Sequence, residues 1–470
     1  MECNLMSKSE KEEAWSEYAK AVTSSSQMGP PFFLGTGEMQ KIYSGEAVFQ
    51  RWLDVEAALA KAEAEVGLIP KEAAAEIAKK AKLEYIDPIA IRDKCRTTDH
   101  PVVSMIWSLK SVCEKDYGQY IHWGATTQDI YETAFGLAHK EIFPIFMRDL
   151  KAMLKSCLDL AEKHKFTVMA GRTHSQQGVP VTFGYKAAIW AVELSRSIQR
   201  MEEMQPRVLT GSMTGVAGTF AAMAPMAEKG PQIQELMMKQ LGLGTAPICS
   251  FASRDVRAEH ANNLAIIAGT IGKIANEVFQ LGRTEIKELE EPIPPGTVGS
   301  STMPGKRNPA TCEEMITMAY QAKRISGISL DGMMVNNERD MGWPTSDSGV
   351  QMLNMIVGLM LNWACWLLEG LVVNADRMRA NINEMLMTES LMIKLAVKAG
   401  RQTAHELVTD AAKERTSKGV SLKEAVLGNK EITQHMNEDE IEKALDPVNY
   451  IGAIPQVVDN VIKELTPLTK

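Results

Sequence analysis

Three short segments of the chain concentrate the residue types that could carry out chemistry. They are His122–Asp129 (HWGATTQD), Gly171–Pro180 (GRTHSQQGVP) and Gly299–Asn308 (GSSTMPGKRN). The first segment offers hydroxyl and amide donors where a helix is expected to begin, with Asp129 in its first turn. Donors at a helix N-terminus suit a carboxylate ligand, although an ordinary capped helix start has the same residue types.

The second segment surrounds one histidine, His174, with polar side chains between two apolar helical patterns. Histidine titrates near neutral pH, so a general acid could lie here. A connecting loop with a solvated histidine would have the same sequence. The segment by itself therefore leaves both interpretations open.

The third segment is a loop with two glycines, two serines and the cations Lys306 and Arg307. Asn308 and Pro309 are typical of a helix cap and a first helical residue. Such a loop can close over a site and exclude water. It lacks the spacing of a phosphate-binding P-loop and the G-x-S-x-G pattern of an acyl-transfer serine. A flexible surface loop is the alternative, but the density of special residues favours a functional loop.

The elements that must position these segments are predicted to be helices. Apolar residues recur at three- and four-residue spacing over Ser44–Val66, with Ser44 as the cap and Gly67 as the end. Similar long patterns cover Ile142–Lys163, Thr182–Met204, Asp255–Leu289 and Pro309–Ile325. Strand signals are scarce. We therefore predict an all-α fold around a long helical bundle, with domains at 1–120, 121–375 and 376–470.

Composition restricts the class of protein. The 470 residues include 51 Lys+Arg and 59 Asp+Glu, and the net charge of −8 disfavours a nucleic-acid binder. The seven cysteines are spread without a C-x-x-C pair, which favours a reducing compartment. Residues 1–28 show no apolar signal region. We expect a cytoplasmic protein.

Neither a membrane span nor a metal site is predicted. Met352–Val373 is long and apolar, but Asn354, Asn362 and Glu369 interrupt it, which indicates a helix buried in a bundle. His405-Glu406 lacks the second histidine of an H-E-x-x-H metal site. We therefore expect no metal and no organic cofactor.

The loop Gly299–Asn308 resembles the G-S-S-x-M-P-x-K-x-N signature of the fumarase/aspartase superfamily, and the other two segments match its remaining characteristic blocks in order. Trp52–Glu56, Gly215–Thr219 and Glu338-Arg339 are similar to the branch of adenylosuccinate lyases and 3-carboxy-cis,cis-muconate cycloisomerases. The resemblance implies a three-domain, mainly α-helical homotetramer whose central bundle takes long helices from four subunits. It also implies active sites that are each built from three subunits.

The resemblance implies a role for each site residue. Ser300 would remove the proton from the carbon β to the leaving group, and His174, oriented by Glu313, would protonate the leaving atom. A serine hydroxyl is a poor base unless its alkoxide is stabilised, so a closed loop, a helix dipole and a cation such as Lys306 are required. Lys306 would also hold the developing charge. The residues implied in substrate binding are Thr126, Thr127, Thr173, Gln176, Asn308, Arg339, His100 and Ser301.

Two departures from this branch bear on the substrate. Phe33-Leu34 stand where adenylosuccinate lyases carry a phosphate-binding cation and hydroxyl, which argues against a nucleotide. His174 stands where bacterial muconate cycloisomerases tend to have tryptophan, which favours elimination over lactonisation. We therefore predict a lyase that releases fumarate from a succinyl-substituted small dicarboxylate, with nitrogen as the first choice of leaving atom and sulfur as the second.

Three alternatives stay open. They are a muconate-type cycloisomerase, adenylosuccinate lyase itself, and a non-catalytic structural protein on the same scaffold. The intact Ser300, Lys306 and His174 argue against the structural protein, because such a role requires none of them.

Overall fold

Most of the chain is described by a computed structural model. The described residues are 35–293, 296, 300, 302–335, 337–339 and 342–470. Four residues named in the sequence analysis, Phe33, Leu34, Gly299 and Ser301, lie outside these ranges.

The chain is all-α, as predicted, and the few strands that the structure describes form two-stranded pairs. In chain order the elements are α1 (Gly37–Ile42), α2 (Gly45–Val66), α3 (Lys71–Lys80), α4 (Pro88–Thr98), α5 (Pro101–Val112), α6 (Thr127–Lys163), β1 (Val168–Thr173), β2 (Gln176–Thr182), α7 (Phe183–Val208), β3 (Thr210–Gly211), α8 (Gly230–Leu241), β4 (Gly244–Thr245), α9 (Asp255–Leu281), β5 (Leu289–Glu290), α10 (Ala310–Asp331), α11 (Gly342–Glu369), β6 (Val372–Val373), α12 (Ala375–Ala380), α13 (Thr388–Ala399), α14 (Arg401–Lys418), α15 (Leu422–Gly428), α16 (Lys430–Thr433), α17 (Glu438–Leu445) and α18 (Ile454–Leu465).

Two compact units make up the fold, and each is assembled from three stretches of chain. Among the described residues, the first unit comprises 35–149, Ser197–Gly272 and Glu314–Asn362, and the second comprises Leu150–Arg196, Lys273–Glu313 and Trp363–Lys470. The three-domain division with limits near residues 120 and 375 stays a prediction.

Helix α2 shows how closely local sequence signals specify an element. The Ser44 hydroxyl accepts the backbone N–H of Ala47 at 3.2 Å, and Gly67 ends the helix at φ 85°, a left-handed conformation that favours glycine. Leu53 and Leu59 on its apolar face are fully buried in the core of the first unit. The predicted start and end of this helix are confirmed.

The other long helices exist as predicted, but several of their limits differ. Helix α6 begins at Thr127, far earlier than the apolar pattern from Ile142 suggests, and α9 ends at Leu281 instead of 289. Gly282, a weak helix former, follows that end. Helix α10 begins at Ala310, one residue later than predicted.

The apolar stretch after residue 350 lies within α11, as predicted for a bundle helix. Two helical stretches, Asp255–Leu281 and Asp347–Glu369, are long and apolar enough to cross a membrane by length and composition alone. In each, more than half of the most apolar window (56% and 61%) is buried within the protein. That burial is typical of core helices.

Two neutral histidines are buried in the core of the first unit. The His139 Nδ1–H donates to the Phe135 carbonyl oxygen at 2.8 Å, and His139 Nε2 accepts from the Asn354 amide at 2.9 Å. His260 Nε2–H donates to Asn354 Oδ1 at 3.1 Å. Burial lowers the pKa of His139 well below its usual range and lowers the pKa of His260 to about 4. Both rings are therefore neutral at pH 7.

These histidines predict that the fold loses stability in mild acid. The unfolded His260 titrates near pH 6.5 but the folded one near 4, so in that window the unfolded chain binds protons that the folded chain excludes. The contribution of His260 to the free energy of unfolding is fully present above pH 6.5. It falls by about 3 kcal/mol as the pH drops to about 4. Urea unfolding at pH 7.5, 6 and 5 measures the slope. Replacing His260 with glutamine should flatten it, whereas replacing the exposed His405 should not, and equal slopes in both variants would contradict the prediction.

Candidate active site

Four of the residues predicted to bind substrate meet in the first unit. His100 Nε2 lies 3.5 Å from the Thr127 hydroxyl, and Arg339 Nη1 donates to the Thr126 hydroxyl at 3.4 Å. His100 Nδ1 accepts the N–H of Val103 at the start of α5, so Nε2 carries the proton that faces Thr127. We name His100, Thr126, Thr127 and Arg339 the threonine cluster. It presents two hydroxyls and a guanidinium, which are donors suited to a carboxylate.

A buried carboxylate fixes the turn that carries these threonines. Asp129 is fully buried and accepts three backbone N–H groups, those of Thr126 and Gly215 at 3.0 Å and of Thr214 at 2.8 Å. Burial raises the pKa of Asp129 to about 6, while these donors lower it. The carboxylate therefore joins the segment 122–129 to the Gly215–Thr219 motif, two blocks that are far apart in sequence.

A second buried carboxylate anchors the start of the same segment. His122 Nδ1 lies 2.6 Å from Oε1 of Glu56, the last residue of the Trp52–Glu56 motif, and Glu56 is 1% exposed. Burial opposes a charge on the imidazole, but Glu56 outweighs it and raises the pKa of His122. His122 and Gly124 both adopt left-handed backbone conformations, at φ 62° and 72°, so the chain turns sharply before Thr126.

Replacing Asp129 with asparagine is expected to damage both stability and substrate binding. The amide keeps the shape of the side chain but turns one acceptor into a donor that faces backbone N–H groups. We expect a loss of about 2–3 kcal/mol of unfolding free energy, and a raised KM, because a buried donor is left without an acceptor. Denaturant unfolding and KM for the best substrate of the panel proposed below are the measurements. Asp116→Asn, at an exposed position, is the matched control. An Asp129→Asn protein with the same unfolding free energy and KM as the Asp116→Asn protein would contradict the prediction.

A charged cluster holds three helices of the first unit together. Arg254, the residue before α9, donates from Nη1 to Glu132 Oε1 on α6 at 2.5 Å, and it also pairs with Asp347 on α11. Arg257 Nη2 donates to the second oxygen of Glu132 at 2.6 Å. Burial raises the pKa of Glu132, but the two arginines outweigh it and keep that pKa below its usual value. The cluster fixes α6, which begins with Thr127, and α11, which follows the segment of Arg339.

In the second unit, three predicted residues lie at the tip of an unpredicted β-hairpin. Strands β1 and β2 are antiparallel, and Thr173 pairs with Gln176 in the last register position. His174 and Ser175 form the two-residue turn at φ 52° and 64°, both left-handed. This pair of angles belongs to the turn type that joins twisted strands, for which Asn-Gly is the usual sequence. The exposed imidazole of His174 is thus carried on a defined, strained turn.

The signature loop places donors against the predicted base. Ser300 Oγ accepts the backbone N–H of Met303 at 3.1 Å and that of Thr302 at 3.4 Å. Two backbone donors on one hydroxyl oxygen would stabilise an alkoxide, as the base role requires. Lys306 and Asn308 follow in the same loop, and both are exposed.

The base of this loop is closed by a carboxylate. Glu291, just before the loop, accepts the backbone N–H of Cys312 at 3.0 Å and of Thr311 at 3.4 Å in the first turn of α10. Burial raises the pKa of Glu291. Glu313, the residue matched to the acid that orients the histidine, is exposed one position further along the helix. Its pairing with a histidine stays a prediction.

The structure thus assembles the threonine cluster and places the remaining described residues on the hairpin tip, the signature loop and the start of α10. Sequence analysis missed Glu56, Arg172 and Glu288 as partners of these elements, and it recognised Asp129 only as a first-turn acid. Their partners are distant in sequence, so no local spacing could have identified them. Within the described ranges, no group of three or more histidine, cysteine or acidic residues is placed to hold a metal ion.

Comparison with known proteins identifies the family. Residues 35–323 match the family described as lyase, and residues 384–461 match the adenylosuccinate lyase C-terminus. The chain is 37% identical to the N-acetyl-S-(2-succino)cysteine lyase of Dickeya dadantii over 91% of its length and 94% of the relative. It is 40% identical to the adenylosuccinate lyase of Methanocaldococcus jannaschii over 92% of its length and 94% of that relative.

A solved structure gives the same result for the fold. The 3-carboxy-cis,cis-muconate lactonizing enzyme of Pseudomonas putida superimposes with a TM-score of 0.86 and 28% identity, over 93% of this chain and 98% of that one. The chain therefore belongs to the lyase family of the fumarase/aspartase superfamily, in the branch of adenylosuccinate lyases and 3-carboxy-cis,cis-muconate cycloisomerases.

Proposed function

We propose that this lyase releases fumarate by β-elimination from a succinyl-substituted small molecule, with an N-(1,2-dicarboxyethyl) amine as the substrate class. The observation that carries the proposal is the position of Ser300, whose Oγ accepts two backbone N–H groups at the start of the signature loop. That environment suits a serine that must act as a base.

The proposed reaction is an elimination that moves one proton to Ser300 and one to the leaving nitrogen. Ser300 takes the proton from the carbon β to nitrogen, and the electron pair enters the neighbouring carboxylate. The C–N bond then breaks, nitrogen keeps its electrons, and His174 supplies the proton that makes the leaving group a neutral amine. Lys306 and Asn308 hold the developing charge, and the threonine cluster binds a substrate carboxylate. The products are fumarate and the amine.

A C–S substrate is the second candidate. Relatives from Dickeya dadantii and Enterococcus italicus are both named N-acetyl-S-(2-succino)cysteine lyase, each at 37% identity. A thiolate is a stable leaving group, whereas an amine that leaves without a proton departs as a strongly basic anion. The same residues would therefore suffice for a C–S substrate, and the proton from His174 would matter less.

We also propose that the protein is a homotetramer whose active sites are shared between subunits. Large apolar side chains are exposed on the long helices, including Ile189 on α7 (40%), Ile266 on α9 (44%) and Tyr320 on α10 (56%). Exposed apolar residues along several long helices suit a subunit interface. Sedimentation equilibrium would give four times the chain mass, and a monomer would exclude shared sites.

A substrate panel followed by ultraviolet absorbance tests the function. It contains adenylosuccinate, argininosuccinate, aspartate, several N-succinyl and S-succinyl amino acids, and 3-carboxymuconate. Fumarate from an N-succinyl compound supports the first proposal, and fumarate from S-succinyl compounds alone supports the second. Efficient cleavage of adenylosuccinate would assign the protein to that activity, and consumption of carboxymuconate alone would assign it to the cycloisomerases.

A further inference from the structure

A partly buried ion pair lies next to the tip of the hairpin that carries His174, since Arg172 pairs with Gln177 one register position before Thr173 and Gln176. Arg172, two residues before His174, donates from Nη1 to Glu288 Oε2 at 2.9 Å and from Nη2 to Oε1 at 2.5 Å. The two bonds run side by side, which fixes both the distance and the orientation of the guanidinium. The Glu288 side chain is fully buried, so this pair is shielded from solvent.

The pairing of the two strands is irregular just before this pair. Its register shifts between Ala170 and Arg172, a bulge that re-aims the side chain beyond it. Gly171 sits at the bulge, where an added Cβ would lie 2.6 Å from the carbonyl oxygen of Val179 on the opposite strand. A glycine is therefore required there for Arg172 to reach its partner.

Glu288 is itself held firmly. Its Oε1 also accepts from the Asn381 amide at 2.9 Å, its backbone N–H donates to Leu281, and its carbonyl oxygen accepts from Asn374. Asn381 reaches the second strand of the hairpin as well, because its carbonyl oxygen accepts from Gln177 at 2.8 Å. Both strands are thus held directly next to the tip, at Arg172 and Gln177, while the tip from Thr173 to Gln176 is exposed.

We propose that Glu288 is a positioning residue for His174: through Arg172 it fixes the strand next to the tip of the hairpin and so aims the imidazole at the leaving atom. This inference rests on the proposed function, since His174 needs a leaving atom to protonate. Glu288 does not touch substrate in this account. A misplacement of about 1 Å at the tip is enough to lower the rate by about 10²-fold.

The test is the leaving-group dependence of Glu288→Gln. Among the succinyl compounds that the wild-type protein cleaves, the two with the most and the least basic leaving atoms are compared at saturating concentration. We expect kcat to fall about 10–100-fold for the more basic leaving group and less than about 5-fold for the other, with each KM within about 3-fold. The ratio of the two kcat values does not depend on how much of the variant is folded.

Three further variants complete the design. Glu290→Gln removes a neighbouring carboxylate that accepts from the Asn374 side chain at 2.9 Å, and it should leave the ratio unchanged. Arg172→Gln should reproduce the Glu288→Gln ratio, and the double variant should be no worse than either single one, because both substitutions break the same pair.

The possible results distinguish failure of the positioning role from failure of the proposed function. An unchanged ratio in Glu288→Gln, or losses that multiply in the double variant, would overturn the positioning role. A wild-type protein that releases fumarate from none of the succinyl compounds would instead overturn the proposed function.

Discussion

Replacing Ser300 with alanine should lower kcat for fumarate release by about 10³–10⁴-fold and leave the fold intact. The substitution removes the only oxygen that the proposal uses to take the proton, and base catalysis of this kind contributes about 10²–10⁴-fold. Ser300 is partly exposed in a loop, so its loss creates no buried cavity. Steady-state kinetics with the best substrate of the panel, together with circular dichroism, would measure the two effects.

The matched substitution for this experiment is Ser417→Ala, an exposed serine on α14. It changes the same atoms at a site that the proposed mechanism does not use, and its kcat should equal that of the wild-type protein. A Ser300→Ala protein within threefold of wild type would exclude Ser300 as the base.

The second large effect is expected at His174. Asparagine is the suitable replacement, because among side chains it best tolerates the left-handed backbone that His174 adopts at φ 52°, and so the turn is preserved. Without the imidazole, an amine must leave unprotonated or take its proton from water. We expect kcat for an N-succinyl substrate to fall by about 10²–10³-fold and kcat for an S-succinyl substrate to fall much less.

Parallel rate measurements on both substrates check this prediction, and His405→Gln serves as the control for the loss of an exposed histidine. Equal losses on nitrogen and sulfur substrates would show that His174 supports the turn or binds substrate instead of donating the proton.

The fold could be predicted where local signals agree. In α2, a serine cap, apolar residues at helical spacing and a terminal glycine all specify one helix. The hairpin could not be predicted in this way. Its strands contain Gly171, Gly178 and Pro180, which weaken any strand pattern, and its turn is His-Ser instead of Asn-Gly. Long-range packing and the Arg172–Glu288 pair hold it, and neither is visible in a local sequence window.

The candidate site was likewise predictable in part. The signature loop, the threonines and His174 were found because their residue types are unusual and close together. Glu56 and Glu288 were not, because an acidic residue whose partner is 66 or 116 residues away has the same local appearance as a solvated one.

The bonds to Asp129 have a consequence for how such an enzyme can diverge. All three of its donors are backbone N–H groups, so these hydrogen bonds do not depend on which side chains occupy positions 126 and 214. Under the proposed function, a mutation at position 126 alters the donor offered to a substrate carboxylate while the bonds that hold the backbone stay the same. A lineage can therefore explore new substrates at this position by single substitutions without first evolving a compensating change in the fold.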